Sequence, residues 1–253
     1  MYNPPKEYLE ALKKDILEAL KNPKTEPIAA FDADGTIWFS DVGRDFFDYQ
    51  IETNYFPGGK SLNWEDYQKV EDLNMERGLC WLGEIFEGEH IDALRVKVNE
   101  FHLKKKPVYI PLQKELIKFL KDNGVQVYIV TASIGWTIEA GAKELGLEPK
   151  DIIGIKTEIK DGIITNKTMK PVSWAEGKVD ALLEATDGKM PFLVSGNTIS
   201  DCHMIELSTH FKQVIHGVDD TSVIYETEKL ALEKAKKEGW HYVDYMNNEC
   251  SLK

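Results

Sequence analysis

The sequence predicts an α/β fold, a parallel sheet with helices on both faces, carrying a small helical lobe inserted after the first strand. Three observations predict it. From Leu112 onward, β-rich apolar runs alternate with amphipathic helical stretches, the pattern of a parallel sheet covered on both sides. The stretch Ile28-Ala29-Ala30-Phe31-Asp32-Ala33-Asp34-Gly35-Thr36 sets one buried strand well ahead of that alternation. Between the two, from about Asp41 to Lys106, aromatics become dense and the spacing turns helical. The expected parts are residues 1–40 and 107–253 for the sheet and 41–106 for the lobe.

Taken in order, Tyr8, Leu9, Leu12, Ile16, Leu17 and Leu20 recur at helical spacing over residues 5–21, with Asn22-Pro23 as the stop. The run Ile28–Phe31 is short, follows Pro27 and reads as a strand. In the lobe, helical periodicity covers 43–52, 63–77, 79–87 and 90–103, broken by Pro57-Gly58-Gly59. Its aromatics read as the lobe's own core. Lys104-Lys105-Lys106-Pro107 reads as a solvated hinge. A helix from Leu112 to Asn123 precedes the strand Val125–Val130, which ends at Thr131-Ala132-Ser133. Then come a helix Trp136–Leu145, a strand Ile152–Ile155, and a hairpin Thr157–Thr168 turning at Asp161-Gly162. A helix Glu176–Ala185, a strand Pro191–Ser195 ahead of Gly196-Asn197, and a helix Ile199–Leu207 follow. A strand Phe211–His216, a helix Ile224–Glu238 and a last edge strand His241–Val243 complete the chain.

At 253 residues the chain is long enough for a sizeable core, and 42% apolar residues suit a folded globular protein. A net charge of −12 argues against nucleic acid as a partner, while leaving room for a local basic pocket that takes one phosphate. No apolar stretch approaches the roughly 18–20 residues that cross a bilayer, so no membrane association is expected. The start, Met1-Tyr2-Asn3-Pro4-Pro5, lacks a secretory signal's apolar region. Cys80, Cys202 and Cys250 are widely spaced and odd in number, which indicates neither a disulfide framework nor a zinc motif. A reducing, cytoplasmic setting is the expectation.

In open sheets of this kind, ligands bind at the carboxyl ends of the strands. The polar clusters Asp32/Asp34, Thr131/Ser133 and Asn197/Asp201 all fall there, which points to one composite site. Two acids at the end of a buried strand are costly without a cation, and a hard, oxygen-seeking ion such as Mg²⁺ relieves that cost. Each piece also has a plain structural reading. Asp-Gly is a common turn, Thr131 can simply end a strand, Lys178 can be an exposed helix lysine, and Asp201 suits the first turn of a helix. Cys202 and His203 stand beside Met204, Ile205 and Leu207 and read as parts of an ordinary buried helix.

In order, Asp32-Ala33-Asp34-Gly35-Thr36, Thr131 after its strand, Lys178 in Glu176-Gly177-Lys178, and Gly196-Asn197-Thr198-Ile199-Ser200-Asp201 resemble the motifs of the haloacid dehalogenase superfamily. The resemblance runs through residues 26–40 and 107–217 and implies a Rossmann-like core. It implies Asp32 as the nucleophile that forms an aspartyl-phosphate, and Asp34 as the acid and then the base. Thr131 would hydrogen-bond a phosphoryl oxygen, and Lys178 would neutralise charge between that group and Asp32. Mg²⁺ would be held by the Asp32 carboxylate, the Asp34 backbone carbonyl and the last motif. There the family's first acid is replaced by Asn197, an amide with no full charge, so weaker metal binding and a larger share for Asp201 are expected. An acid at 34 points to a phosphatase or a phosphomutase, whereas the asparagine keeps a weakly active or non-catalytic relative open. The insertion resembles the helical cap of the phosphoserine phosphatase-like branch, as do Gly154 to Met169 and the small-residue turn at Thr131-Ala132-Ser133. On that likeness Asp41 and Arg77 would bind the substrate with Thr131, Ala132 and Lys178, with Arg44 and Arg95 as competitors for the arginine. The implied substrate is a small phosphomonoester, phosphoserine or an amino-alcohol phosphate. Trp38, Phe46 and Phe47 would favour a cationic group. Oligomeric state is not implied.

Overall fold

The apolar run Ile28–Phe31 forms strand β1 (Ile28–Phe31), buried along its whole length. The computed structural model describes residues 4, 6–21 and 26–252. The expected stop at Asn22-Pro23 lies outside them, as does most of Met1 to Pro5. β1 pairs in parallel with β2 (Gln126–Ile134) on one side and with β6 (Leu193–Gly196) on the other. β2 carries β3 (Ile152–Ile155) in parallel at one end of the sheet. Beyond β6 lie β7 (Phe211–His216) and β8 (His241–Asp244), both parallel, then β9 (Glu249–Ser251), which runs antiparallel. The order is therefore β3-β2-β1-β6-β7-β8-β9. The expected edge strand at His241 is thus not the edge: a tight turn whose backbone N–H groups at Met246 and Asn247 donate to Asp244 folds Glu249–Ser251 back beside it.

Because strand side chains alternate, Ala29 and Phe31 face one layer and Ala30 the other. On the first side sit α1 (Lys6–Lys21), α6 (Pro111–Asp122) and α7 (Gly135–Glu144). α1 lays Tyr8, Leu9, Leu12 and Ile16 inward, and α6 begins on Pro111, where a proline costs no hydrogen bond. On the other side α8 (Gly177–Ala185), α9 (Cys202–Glu206) and α10 (Tyr225–Glu238) bury Leu182, Met204, Ile205, Ala231 and Ala235 against Ala30, Val130, Val194 and Val214. The expected helix at Ile199–Leu207 starts as a 3-10 turn at Ile199–Asp201, because the Asp201 carboxylate turns back onto Thr198. β2 also runs past its expected end, with an irregularity in its pairing to β3 between Val130 and Ile134.

Between β1 and β2 the chain forms α2 (Val42–Thr53), α3 (Trp64–Glu71), α4 (Met75–Glu84) and α5 (Ile91–Lys104). The single helix expected over 63–77 is two. Asn74 accepts the Arg77 N–H at 3.0 Å and starts α4, the position that favours asparagine, while Leu73 between the helices is 83% exposed. The expected helix 79–87 is the second half of α4, followed by a turn. Phe47 centres the aromatic packing, with ring centroids 4.9 Å from Trp64, 5.9 Å from Trp81 and 6.1 Å from Phe56. This packing is continuous with the apolar layer under α1 and α6. The entry and exit of the insert lie side by side: Phe39 N donates to Val108 O at 2.8 Å and Ile110 N to Ile37 O at 2.9 Å. The hairpin of β4 (Thr157–Lys160) and β5 (Ile163–Thr168) turns through Asp161 and Gly162, both at positive φ as a two-residue turn requires. That hairpin is joined to the α4–α5 loop by backbone bonds Gly88 N to Ile164 O, Ile164 N to Glu89 O and Ile91 N to Gly162 O, each 2.9 Å.

Candidate active site

The strand order reverses at β1, so the crevice of this sheet lies beyond the carboxyl ends of β1, β2 and β6. Asp32 stands there, directly after β1. Its N–H donates to Ser195 O at 2.9 Å, extending the ladder to β6 by one residue. The residue is 5% exposed. Its Oδ1 accepts from Lys178 Nζ at 2.6 Å and its Oδ2 from Thr36 Oγ1 at 3.1 Å. Burial pushes its pKa up to about 7, against the pull of Lys178 and with a further push from Asp201.

Lys178 is the second residue of α8, and its ammonium is shared: Asp32 Oδ1 and Asp201 Oδ1 both lie 2.6 Å away. It reaches the crevice because a glycine precedes it. A Cβ on Gly177 would lie 1.9 Å from the Val172 carbonyl oxygen. Burial disfavours the ammonium, but the two carboxylates outweigh burial and its pKa rises. The remaining oxygen of Asp201, Oδ2, accepts from Asn197 N at 3.1 Å and from Thr198 N and Thr198 Oγ1 at 2.9 Å each. Burial works against the Asp201 charge, yet Lys178 and these donors hold its pKa below the usual carboxylate range. Both of its oxygens are engaged, so Asp201 stands on the lysine side of the site.

Asp34 is held in a different way. Its Oδ1 accepts from Trp38 Nε1 at 2.7 Å and Val42 N at 2.8 Å, and its Oδ2 from Ser133 Oγ at 2.6 Å. Burial, then Asp41, push its pKa up to about 7 against those three donors. Gly43 leaves room for the serine, since a Cβ there would meet Ser133 Oγ at 2.6 Å. Thr131 is buried beside them and accepts the Ser133 N–H at 3.0 Å through its own Oγ1, which leaves its O–H to donate. Ser173 fixes the Thr131 backbone by donating to its carbonyl at 2.7 Å. Ala132 lies half-buried between the two hydroxyls.

Asn197 follows β6 and is 1% exposed. Its Oδ1 accepts from the same Thr36 hydroxyl that serves Asp32, at 3.3 Å, so the two oxygens converge on one spot. Its Nδ2 donates to Glu228 Oε1 at 2.7 Å. Gly35 makes the approach possible. Its φ of +79° suits glycine, and a Cβ would lie 2.0 Å from Asn197 Nδ2. Glu228, in the first turn of α10, is fully buried, and its other oxygen accepts from Gly217 N at 2.9 Å and Val218 N at 3.2 Å. Burial raises its pKa, partly offset by these donors.

Among the described residues no cluster of three or more His, Cys, Asp or Glu side chains is set to hold a metal. The donor set here is of another kind. The Asp32 carboxylate and the Asn197 amide oxygen, with the Asp34 backbone carbonyl close by in the chain, are the hard oxygens that Mg²⁺ takes, and Mg²⁺ commonly keeps several waters besides. Four buried or half-buried acids, Asp32, Asp34, Asp201 and Glu228, stand against one ammonium, that of Lys178, which only Asp32 and Asp201 contact. That excess of negative charge fits a cation.

The structure thus brings Asp32, Asp34, Thr131, Ala132, Lys178, Asn197 and Asp201 to one crevice. Asp41 joins its rim as the cap of α2, accepting from Arg44 N at 2.9 Å. Crowding by surrounding protein raises its pKa despite its open surface, and Asp45 and Asp32 add to the rise. Arg77 instead pairs with Glu84 at 2.6 Å beside the hairpin, and Arg95 pairs with Glu139 at 2.8 Å. Of the three arginines, Arg44 is next to Asp41, its guanidinium 4.4 Å above the Trp64 ring. Trp38, Phe46 and Phe47 are at most 1% exposed and offer no open ring face to a cation. Their surroundings are the core, and Trp38 is spent on Asp34. Cys202 is buried in the apolar layer, as its neighbours suggest. Sequence reasoning missed Thr36, Trp38 as a donor, Ser173 and above all Glu228. Thr36 and Ser133 sit inside motifs already noted; nothing near Glu228 marks it.

Comparison with known proteins agrees with this geometry. A family profile described as haloacid dehalogenase-like hydrolase matches residues 29–206. No curated protein matches the chain. Among solved structures, a protein of unknown function from Bordetella pertussis Tohama I aligns with a TM-score of 0.69 at 18% identity, covering 87% of this chain and 99% of its own. A conserved protein of unknown function from Anaerococcus prevotii DSM 20548 aligns at 0.65 with 16% identity, covering 86% and 85%. A probable phosphoserine phosphatase from Vibrio cholerae aligns at 0.53 with 16% identity, covering 87% and 73%. These likenesses concern the fold. With its profile match spanning most of the sheet and the crevice at its centre, the chain belongs to the haloacid dehalogenase-like hydrolase family.

Proposed function

We propose that the protein is a Mg²⁺-dependent phosphatase that hydrolyses a small phosphomonoester through an aspartyl-phosphate on Asp32, with the insert of α2 to α5 acting as a cap. The observation that carries this reading is the pair of acids two residues apart in contrasting surroundings. Asp32 is salt-bridged to a buried lysine, and Asp34 is held by neutral donors with a pKa near 7. A pKa near the working pH is what an acid that gives and then retakes a proton needs.

In the first half-reaction an Asp32 oxygen forms a bond to phosphorus as the bond from phosphorus to the leaving oxygen breaks. Asp34 gives that leaving oxygen its proton. Two N–H groups occupy Asp34 Oδ1, so the proton resides on Oδ2, where Ser133 can turn its hydroxyl from donor to acceptor. In the second half, Asp34 takes a proton from water as that water attacks phosphorus. Asp32 leaves as the carboxylate and inorganic phosphate is released. Lys178 neutralises the approach of an anion to Asp32, and Thr131 donates its O–H to a phosphoryl oxygen. When bound by Asp32, the Asp34 carbonyl and Asn197, Mg²⁺ supplies charge neutralisation for the phosphoryl group. Asp41 at the rim suits an ammonium group on the substrate, and Arg44 beside it suits a carboxylate, which supports phosphoserine or an amino-alcohol phosphate as the substrate class.

The test is phosphate release from a panel of metabolite monoesters, with Mg²⁺ or with chelator, for the native chain and Asp32→Asn. Mg²⁺-dependent turnover that Asp32→Asn abolishes is expected. No release from any ester, or turnover that survives the substitution, would overturn the reading.

A further inference from the structure

The family pattern expects an acid at position 197, and this chain has an amide there. Glu228 touches that amide from helix α10, 31 residues further along the chain. We propose that Glu228 is a positioning residue for the metal site: it supplies the carboxyl group that Asn197 lacks and turns the Asn197 amide oxygen toward Asp32. The inference deepens the Mg²⁺-dependent reading and rests on it.

The geometry carries the orientation argument. An amide has one donor end and one acceptor end, whereas a carboxylate only accepts. Facing Glu228 Oε1 at 2.7 Å, the amide must present Nδ2 to it, which leaves Oδ1 on the Thr36 and Asp32 side. Reversing the amide would set two oxygens against each other in a buried site. Glu228 is itself fixed, because Gly217 N and Val218 N, at the carboxyl end of β7, both donate to its Oε2. Three N–H donors meet its two oxygens, Asn197 Nδ2 on Oε1 and Gly217 N and Val218 N on Oε2. The carboxyl group usual at position 197 is therefore present one side chain further out, in contact with the amide that replaced it. Gly35 is part of the same device, since only a residue without Cβ lets the amide and Glu228 Oε1 close over the loop that carries Asp32 and Asp34. Glu228 is 0% exposed in an otherwise amphipathic helix, and both of its oxygens are spent on these three N–H groups.

The experiment titrates MgCl₂ alone into the metal-stripped full-length protein by calorimetry, with thermal melts as the check on folding. The variants are Glu228→Gln, Asn197→Asp and the double Asn197→Asp/Glu228→Gln. Native protein is expected to bind Mg²⁺. Glu228→Gln should weaken the Kd by about tenfold or more, since both the carboxyl group and the fixed amide orientation go. Asn197→Asp alone sets two carboxylates in contact, so its metal-free melting temperature should fall and its gain on adding Mg²⁺ should exceed that of the native protein. The double variant exchanges amide and carboxylate within the pair, and its Kd should return to within about threefold of native. If Glu228→Gln does not fold, the double variant decides: Mg²⁺ binding like native supports the proposal, and failure to bind or to fold overturns it. Native binding with Glu228→Gln unchanged overturns this inference and leaves the phosphatase reading standing. No Mg²⁺ binding by the native protein overturns both.

Discussion

Lys178→Met is the substitution whose cost the structure lets one work out. The side chain is 2% exposed, and its ammonium is the shared partner of Asp32 and Asp201, each at 2.6 Å. A methionine of similar length fills the space but leaves two buried carboxylates facing each other. Removing one partner from a buried ion pair costs roughly 3–5 kcal/mol. For a chain of this size about 1 kcal/mol moves the melting temperature by about 2–4 °C, so a fall of about 6–20 °C is expected near neutral pH. The pH dependence fixes the cause. Without the lysine both acids have folded-state pKa values raised above their unfolded ones, so the folded variant binds more protons. Stability from such groups is present at low pH and lost as pH rises through the folded pKa. The deficit against the native protein should therefore be full at about pH 8 and shrink by about pH 5. Calorimetric melts of both proteins in chelator at the two pH values measure it. A deficit of equal size at both would show that lost packing, not uncompensated charge, is what the lysine prevents, and a deficit under about 1 kcal/mol would refute the reasoning outright.

Two further outcomes are expected. Gly35→Ala places a Cβ at a φ of +79° and 2.0 Å from Asn197 Nδ2, so a loss of about 2–4 kcal/mol is expected by denaturant unfolding; a native-like midpoint would show that the loop can move aside. Ser133→Ala removes the O–H donor from Asp34 Oδ2, which holds its pKa down. Asp34 must be protonated to act as the acid, so the alkaline limb of kcat/KM should move to higher pH, by up to about one unit. A stationary limb would take Asp34 out of the proton transfer.

Much of the fold was legible because the strands of a doubly covered sheet are short apolar runs, and each here is punctuated by glycine, asparagine or an acid. The site was legible where chemistry is local in sequence, as in Asp32-Ala33-Asp34-Gly35-Thr36. What stayed hidden is non-local. Glu228 lies among Glu226, Lys229 and Glu233 on a helix with charged faces, and a periodicity argument cannot tell a glutamate that goes inward from those that do not. The break at Asp72–Asn74 was masked by apolar spacing that runs through it, although Asn74 carries a capping signal. The arginines' placement is non-local in the same way, since only the packed insert shows that Arg77 pairs with Glu84 while Arg44 stands by Asp41. Asp201 too has partners that its motif does not reveal. Its place in the last motif suggested metal, and its fully engaged oxygens make it the second anchor of the lysine.

The three backbone bonds that join residues 88–91 to the β4–β5 hairpin have a mechanical consequence. The insert is tied at the paired linkers near Phe39 and Val108, by Arg95 on Glu139 of α7, and at this far corner. Swinging the insert away on the linkers alone would break those three bonds, at a net cost of about 0.5–1.5 kcal/mol each. Swinging the hairpin with it breaks none of them. The helices and the hairpin are thereby joined into one unit, and amide protons at Gly88, Ile91 and Ile164 should exchange as slowly as the insert's own helices, marking a shared raft.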